Sequence, residues 1–169
     1  MNRPRSVLAA ALLAGVLALA SCAYTVSLDA AAEAESPLCA NASVRLPETI
    51  GDLERRWTDA QATGAWGLPT AVVFSCGLEP PAPTTLQCVT IGGVDWIVDE
   101  TDTPNLRLTT YGREPAAQAY IDTTVVSADE VLGVLSTAVQ QLPATGECTA
   151  PDVETGQQDA PTAGDGDGR

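Results

Sequence analysis

Histidine and lysine are both absent from this chain, and all eight of its cationic residues are arginine. Without histidine there is no Ser-His-Asp or Cys-His catalytic machinery and no histidine-ligated zinc. Without lysine there is no Schiff-base nucleophile and no phosphate-binding lysine. The side chains left for catalysis are carboxylates, hydroxyls, arginine and thiols, so the chemical inventory is short.

The eight cationic residues are outnumbered by 22 acidic residues, and the formal net charge is −14. Nucleic-acid binding depends on clustered arginine and lysine that contact phosphates, so nucleic acid is excluded as a partner. The same balance argues against electrostatic adhesion to an anionic membrane face. A large net charge of one sign is typical of a protein that stays soluble.

No apolar run is long enough to span a bilayer. Val7–Ala20 has about 14 residues, whereas a transmembrane helix needs about 20. This run follows Arg3 and Arg5 and leads into small residues, which is the order of a secretion signal. Its end, Leu19-Ala20-Ser21-Cys22, resembles the lipobox of bacterial lipoproteins. The resemblance implies a signal peptide at residues 1–21, cleavage before Cys22, and a diacylglycerol on the Cys22 sulfur.

A diacylglyceryl group supplies two acyl chains, and two chains make a stable membrane anchor where one is marginal. We therefore predict a lipoprotein held by Cys22 on the outer face of the cytoplasmic membrane.

Five cysteines are present, and Cys22 is assigned to the lipid. The other four, in an exported domain of modest size, predict two disulfides. None lies in a Cys-x-x-Cys pair, so we predict no redox site, no metal site and no cofactor. We favour Cys39–Cys76 with Cys88–Cys148. The main alternative contains Cys76–Cys88 across a proline-rich turn, and all three possible pairings stay open.

Composition divides the rest of the chain into three segments. Residues 22–37 are small, polar and acidic, which predicts a lipidated flexible tether. Residues 149–169 combine proline, glycine and acids without an aromatic residue, which predicts a disordered acidic tail. Residues 38–148 are enough for one small domain with a single core.

The pattern within residues 38–148 predicts an α+β fold: an antiparallel sheet of four to five strands covered by an N-terminal and a C-terminal helix. The first helix is expected at Leu38–Leu46. Ser127 begins a capping box ahead of the last helix, whose apolar stripe stops before Pro143. The expected strands, with a Gly92-Gly93 hairpin turn among them, are Ala71–Cys76, Leu86–Ile91, Val94–Asp99, Leu106–Tyr111 and Ala116–Asp122.

The segment Thr49–Gly67 carries mixed signals for secondary structure. Ile50, Leu53 and Trp57 share a possible helical face. We expect Trp57 and Trp66 to be core or staple residues, and the alternative is that one of them lines a binding groove.

Four short motifs follow one another in a recognisable order: Ala65-Trp66-Gly67, Val72–Gly77, Gly93–Trp96 and Tyr111–Pro115. Their succession resembles the actinobacterial lipoprotein family known as domain of unknown function 3515, over about residues 38–148. The resemblance implies a protein exposed in the cell envelope. It implies no activity, because none is assigned to the family.

Two groups of side chains are candidate ligand contacts. Asp99 belongs to an acidic group with Asp95, Glu100 and Asp102, and Arg113 lies in a turn before a proline. Asp95 and Asp99 would be about 13 Å apart along one strand, whereas a glycosidase pair needs roughly 5–9.5 Å. We therefore assign no catalytic residue. We expect a non-enzymatic module that contacts an envelope protein or a cell-wall ligand; the alternative is an envelope hydrolase using carboxylates near Asp95 and Asp99.

Overall fold

The computed structural model describes residues 25–149. The predicted signal peptide, Cys22 and the acidic tail from residue 150 onward lie outside the described residues. Within residues 25–149 the chain forms two helices and eight strands: α1 Pro37–Ser43, β1 Thr49–Ile50, β2 Leu53–Arg56, β3 Thr63–Trp66, β4 Val72–Leu78, β5 Cys88–Ile91, β6 Val94–Asp99, β7 Asn105–Thr110, β8 Ala116–Asp122 and α2 Ala128–Val139.

The eight strands of the described region make one sheet in the order β1-β2-β3-β4-β8-β7-β6-β5. Every pairing is antiparallel. The chain runs through β1 to β4, crosses to the far edge, and returns through β5 to β8, so that β8 pairs with β4. The two helices contact each other and share one core with the sheet, so they cover the same face. An antiparallel α+β fold with two helices is confirmed, but the sheet has eight strands instead of four to five.

The additional strands, β1 to β3, come from the segment in which we saw a possible helical face. Ile50 and Leu53 are directly paired across a two-residue turn in which Gly51 has a φ of 55°. Their three-residue spacing is therefore that of a tight hairpin and not of a helix turn. Trp66 is fully buried as expected, whereas Trp57 is 83% exposed and is not a core residue, since it follows the end of β2.

The core lies between the sheet and the helices. Helix α2 begins at the predicted cap, where the Ser127 hydroxyl accepts a hydrogen bond from the Glu130 backbone N–H at 3.3 Å. Its buried stripe faces large side chains of the sheet, including Trp66, Phe74 and Trp96. Burying each of these side chains contributes about 1.5–3 kcal/mol or more. Within residues 25–149, neither helix has the length and apolar character needed to cross a membrane.

Two disulfides connect separate elements. Cys39–Cys76 joins α1 to β4, with Cα atoms 5.6 Å apart. Cys88–Cys148 joins β5 to the segment that follows α2, with Cα atoms 6.0 Å apart. This is the pairing that the sequence analysis favoured. Each bond closes a loop of tens of residues, so in the chain-entropy model each stabilises the fold by roughly 3–4 kcal/mol.

Residues 25–36, the described part of the tether predicted at residues 22–37 that precedes α1, are attached to the domain and do not form a free linker. Val26 forms a parallel bridge with Thr58. The Glu33 N–H donates to the Gly77 carbonyl at 2.9 Å, and Ala34 is buried. Sequence did not reveal this contact because it depends on a close approach of two backbones. Gly77, with a φ of 104°, leaves the space that Glu33 and Ala34 occupy.

The first prediction concerns this close approach. In Gly77→Ala the added methyl group would overlap the Glu33 and Ala34 backbone, and alanine disfavours the positive φ. We expect a loss of about 1–3 kcal/mol in the free energy of unfolding, measured by urea denaturation. Gly133→Ala is the matched control, because Gly133 lies in α2 with nothing within 4 Å of the added atom. In the control variant the free energy of unfolding should rise by about 1 kcal/mol. If both variants changed the free energy of unfolding by the same amount in the same direction, this account of Gly77 would be contradicted.

The second prediction concerns Asp59, which holds the same N-terminal segment. Its carboxylate accepts hydrogen bonds from the Leu28 N–H at 2.9 Å and the Ser27 hydroxyl at 2.7 Å. These bonds, that from Leu28 first, lower the pKa of Asp59 below its ordinary value. A lowered carboxyl pKa gives stability that is present above the unfolded-state pKa and is lost as the pH falls through the folded-state pKa. We expect the Leu28 amide NMR signal to titrate below the usual aspartate range, and to lose this titration in Asp59→Asn. A midpoint within the usual range would contradict the assignment.

Candidate functional site

The face of the sheet opposite the helices carries a two-row array of side chains. Directly paired residues of an antiparallel sheet share a face, so the register defines the rows. The first row runs Val73–Tyr120–Arg107, and the second runs Ser75–Gln118–Thr109. Both rows continue into β6, at Asp99 and Ile97. We call these eight residues the open face, of which Ile97 is buried and the others are partly exposed: Val73, Ser75, Ile97, Asp99, Arg107, Thr109, Gln118 and Tyr120.

Arg107 connects the members of the open face. Its guanidinium carbon lies 5.1 Å from the centroid of the Tyr120 ring. One nitrogen forms an ion pair with Asp102 at 2.8 Å, and the other approaches the Gln118 side-chain oxygen at 3.5 Å. Gln118 in turn donates to the Thr109 hydroxyl at 2.8 Å. Arg107 therefore lies over the ring of a tyrosine while its side chain stays 42% exposed.

This arrangement suits recognition of a surface more than enclosure of a small molecule. The side chains on neighbouring strands are about 4.8 Å apart, so the two rows form a flat patch with a planar cation at its centre. Arginine and tyrosine are, with tryptophan, the residue types enriched among those that dominate the energetics of protein interfaces. Holding the guanidinium in place beforehand lowers the entropic cost of a contact.

Asp99 is the one member of the open face that the sequence analysis named as a ligand contact. Its carboxylate accepts hydrogen bonds from the Thr101 hydroxyl and from the Thr101 N–H, the latter at 3.0 Å. These two bonds, the hydroxyl bond first, lower the pKa of Asp99, and the nearby positive charge of Arg107 acts in the same direction. Asp99 is thus held as a carboxylate at the end of β6.

Arg113, the other named residue, lies in a different network. Its guanidinium donates to the Leu142 carbonyl at 2.5 Å and reaches the Gly93 carbonyl at 3.4 Å. Its backbone bridges Ala144. These bonds attach residues 140–148, which we call the C-terminal strap, to the β-hairpin loops. The structure therefore gives Arg113 intramolecular partners and does not place it on the open face.

Asp95 also serves the C-terminal strap. Its carboxylate accepts from the Cys148 N–H at 2.7 Å and from the Thr90 hydroxyl at 2.6 Å. Asp95 and Asp99 both lie in β6, four residues apart, so their Cα atoms are about 13 Å apart. This separation exceeds the range of a glycosidase pair.

Sequence analysis missed Arg107, Gln118 and Tyr120. A usable signal was present, because polar and apolar residues alternate along β7 and β8. That alternation predicts which residues share a face of one strand. It does not say that residue 107 lies beside residue 120, since this requires the register between strands.

A second feature lies where β2 ends. An open groove of about 520 Å³ is lined by residues of β2 and by Gly67 and Leu68 of the turn between β3 and β4. Trp57 and Leu68 line it with 83% and 73% of their surfaces exposed. Arg55 lies against the Trp66 ring, 5.9 Å from its centroid, and Arg56 donates to the Thr70 hydroxyl at 3.2 Å. We call this feature the Trp57 groove.

Residues 25–149 form a small, disulfide-linked α+β domain in which neither of the two described helices covers the open face. Among residues 25–149, no group of three or more histidine, cysteine, aspartate or glutamate side chains is arranged to hold a metal ion. The chain belongs to the family described as protein of unknown function DUF3515, whose family model matches residues 6–163. No curated protein and no solved structure matches the chain.

Proposed function

We propose that this protein is an extracytoplasmic lipoprotein of the actinobacterial type, anchored through Cys22, whose domain is a non-enzymatic binding module. Its partner is another protein of the cell envelope, which contacts the open face. The observation that carries the proposal is the Arg107 cluster: a guanidinium stacked on Tyr120 and linked to Gln118, on a sheet face that neither helix covers.

The state of the carboxylates supports binding over hydrolysis. A general acid needs a raised pKa, whereas the pKa of Asp99 is lowered by Thr101. Asp95 is engaged by Thr90 and by the Cys148 backbone. Asp99 therefore does not resemble a carboxyl group prepared to donate a proton, and both carboxylate oxygens of Asp95 already accept hydrogen bonds within the domain.

The cysteines support the extracytoplasmic location. Disulfides persist in oxidising compartments and are rare in the cytosol. Four of the five cysteines are used in the two disulfides, and Cys22 is the one that neither disulfide uses. Cys22 is also the cysteine that follows the apolar run Val7–Ala20, where a lipoprotein carries its lipid.

The third prediction tests the open face. A photo-crosslinking residue at position 118 of the full-length protein should capture an envelope protein in intact cells. Arg107→Ala and Tyr120→Ala should each reduce the captured product, because loss of a dominant interface residue costs about 2 kcal/mol or more, or roughly 30-fold in affinity. Unchanged unfolding midpoints would show that both variants remain folded.

Arg45→Ala is the matched control for these variants. Arg45 is exposed after α1 and donates to the Asn41 carbonyl at 2.8 Å, so it is not part of the open face. This variant should capture the same product at parental yield. Equal capture by the Arg107 and Tyr120 variants would refute the open face as the binding surface.

The fourth prediction tests the anchor. The mature parent protein should carry a diacylglyceryl group by mass spectrometry and should fractionate with membranes. Cys22→Ser should remove both properties and leave the two disulfides intact, since neither disulfide uses Cys22. Ser21→Ala, which keeps a small residue before the cysteine, should behave like the parent. A Cys22→Ser protein that is still processed and membrane-bound would contradict the anchor.

A further inference from the structure

Two large apolar side chains of the Trp57 groove face solvent together. Trp57 and Leu68 are the most exposed tryptophan and leucine among residues 25–149, with 83% and 73% of their surfaces accessible. Both line the same groove of about 520 Å³. Removing an indole ring and a leucine side chain from water is favourable, so contact of this groove with an apolar phase would stabilise the domain there.

The N-terminal segment reaches the domain at this groove. The Val26 N–H donates to the Trp57 carbonyl at 2.8 Å, and Val26 bridges Thr58. Ser27 and Leu28 are held by Asp59. Cys22 is only four residues before Val26 in the sequence, and four residues span at most about 14 Å. A lipid on Cys22 therefore enters the bilayer close to Trp57.

We propose that the Trp57 groove is the membrane-facing surface of the domain, with Trp57 and Leu68 inserted at the headgroup level of the bilayer. The proposal rests on the proposed lipid anchor at Cys22. Tryptophan is enriched at membrane interfaces because its ring is apolar and its N–H is polar. A short connection to the anchor makes insertion effectively intramolecular, so a weak local affinity is sufficient.

Charge around the groove identifies the kind of contact. Arg55 and Arg56 line the Trp57 groove together with two acids, Asp52 and Glu54. The same two arginines line an adjoining depression together with Glu48. Asp59 lies next to them in the chain. With more acids than arginines, the surface is not cationic, so attraction to anionic lipid does not drive it. The contact is apolar, and it requires neither anionic lipid nor low salt.

Contact between the Trp57 groove and the bilayer would place one edge of the sheet at the membrane and the opposite edge away from it. Trp57 follows β2, near one edge, and Leu86 precedes β5 at the opposite edge. Six strand steps separate β2 from β5, or about 29 Å at 4.8 Å per step. Leu86, which is 47% exposed, therefore provides a leucine at the far edge of the same sheet.

Tryptophan fluorescence provides a direct test, because the other two tryptophans, Trp66 and Trp96, are fully buried. The lipidated full-length protein is reconstituted in phosphatidylcholine vesicles whose acyl chains carry bromine near the headgroup. We expect the emission of Trp57 to shift to the blue and to be quenched. Trp57→Phe should abolish the quenched component, and added salt should leave it unchanged. Leu68→Ser should reduce the quenching, and Leu86→Ser should not.

Vesicle flotation, measured on the same samples, distinguishes a failure of the membrane-facing groove from a failure of the lipid anchor. A protein that floats with the vesicles but whose Trp57 emission stays red and unquenched keeps its anchor and overturns the membrane-facing groove. Blue-shifted but unquenched emission also overturns it, since Trp57 would then be covered by protein. Equal loss of quenching in Leu68→Ser and Leu86→Ser would also overturn it, because Leu86 lies at the opposite edge of the sheet from the groove. Failure to float, with no lipid detected on Cys22, refutes the anchor itself.

Discussion

The pairing of β4 with β8 holds the two halves of the sheet together. Six register pairs, from Val72–Ile121 to Leu78–Ala116, join residues that are 38 to 49 positions apart in the chain. Cys76 in β4 is bonded to α1, and Gly77 in the same strand receives the N-terminal segment. The chain passes from β8 into α2, which covers the core. Loss of this pairing would therefore detach β8 and α2 from β4, which holds α1 through the disulfide and also holds the N-terminal segment.

The same pairing creates two different faces on one sheet. Phe74 and Ala119 point toward the helices, while their neighbours Val73 and Tyr120 point away from them. Two arginines illustrate the difference in surroundings. Arg113 is bonded to backbone carbonyls of the C-terminal strap, which stabilises the fold. Arg107 is stacked on a tyrosine and remains partly exposed, which leaves its donors accessible to a partner.

Local signals in the sequence predicted local structure well. The Gly92-Gly93 turn, the capping box at Ser127 and the buried stripe of α2 depend on residues close in the chain, and the structure contains all three. The segment Thr49–Gly67 was misread because Ile50 and Leu53 have the spacing of a helix turn and of a tight hairpin alike. The open face could not be predicted, because it depends on the register that places Val73 beside Tyr120. The attachment of residues 25–36 could not be predicted either, because it depends on a close approach of two backbones at Gly77.

Occupation of the open face in the living envelope is the central claim, and oxidative footprinting of tyrosines tests it most directly. Tyr120 lies on the open face, and Tyr111 lies near Cys148 at the C-terminal strap, so Tyr111 is an internal reference. Hydroxyl-radical oxidation of both residues is compared between envelope membranes and the purified protein. The account predicts that Tyr120 is protected in membranes while Tyr111 reacts equally in both. Equal reactivity of Tyr120 in the two samples would contradict it.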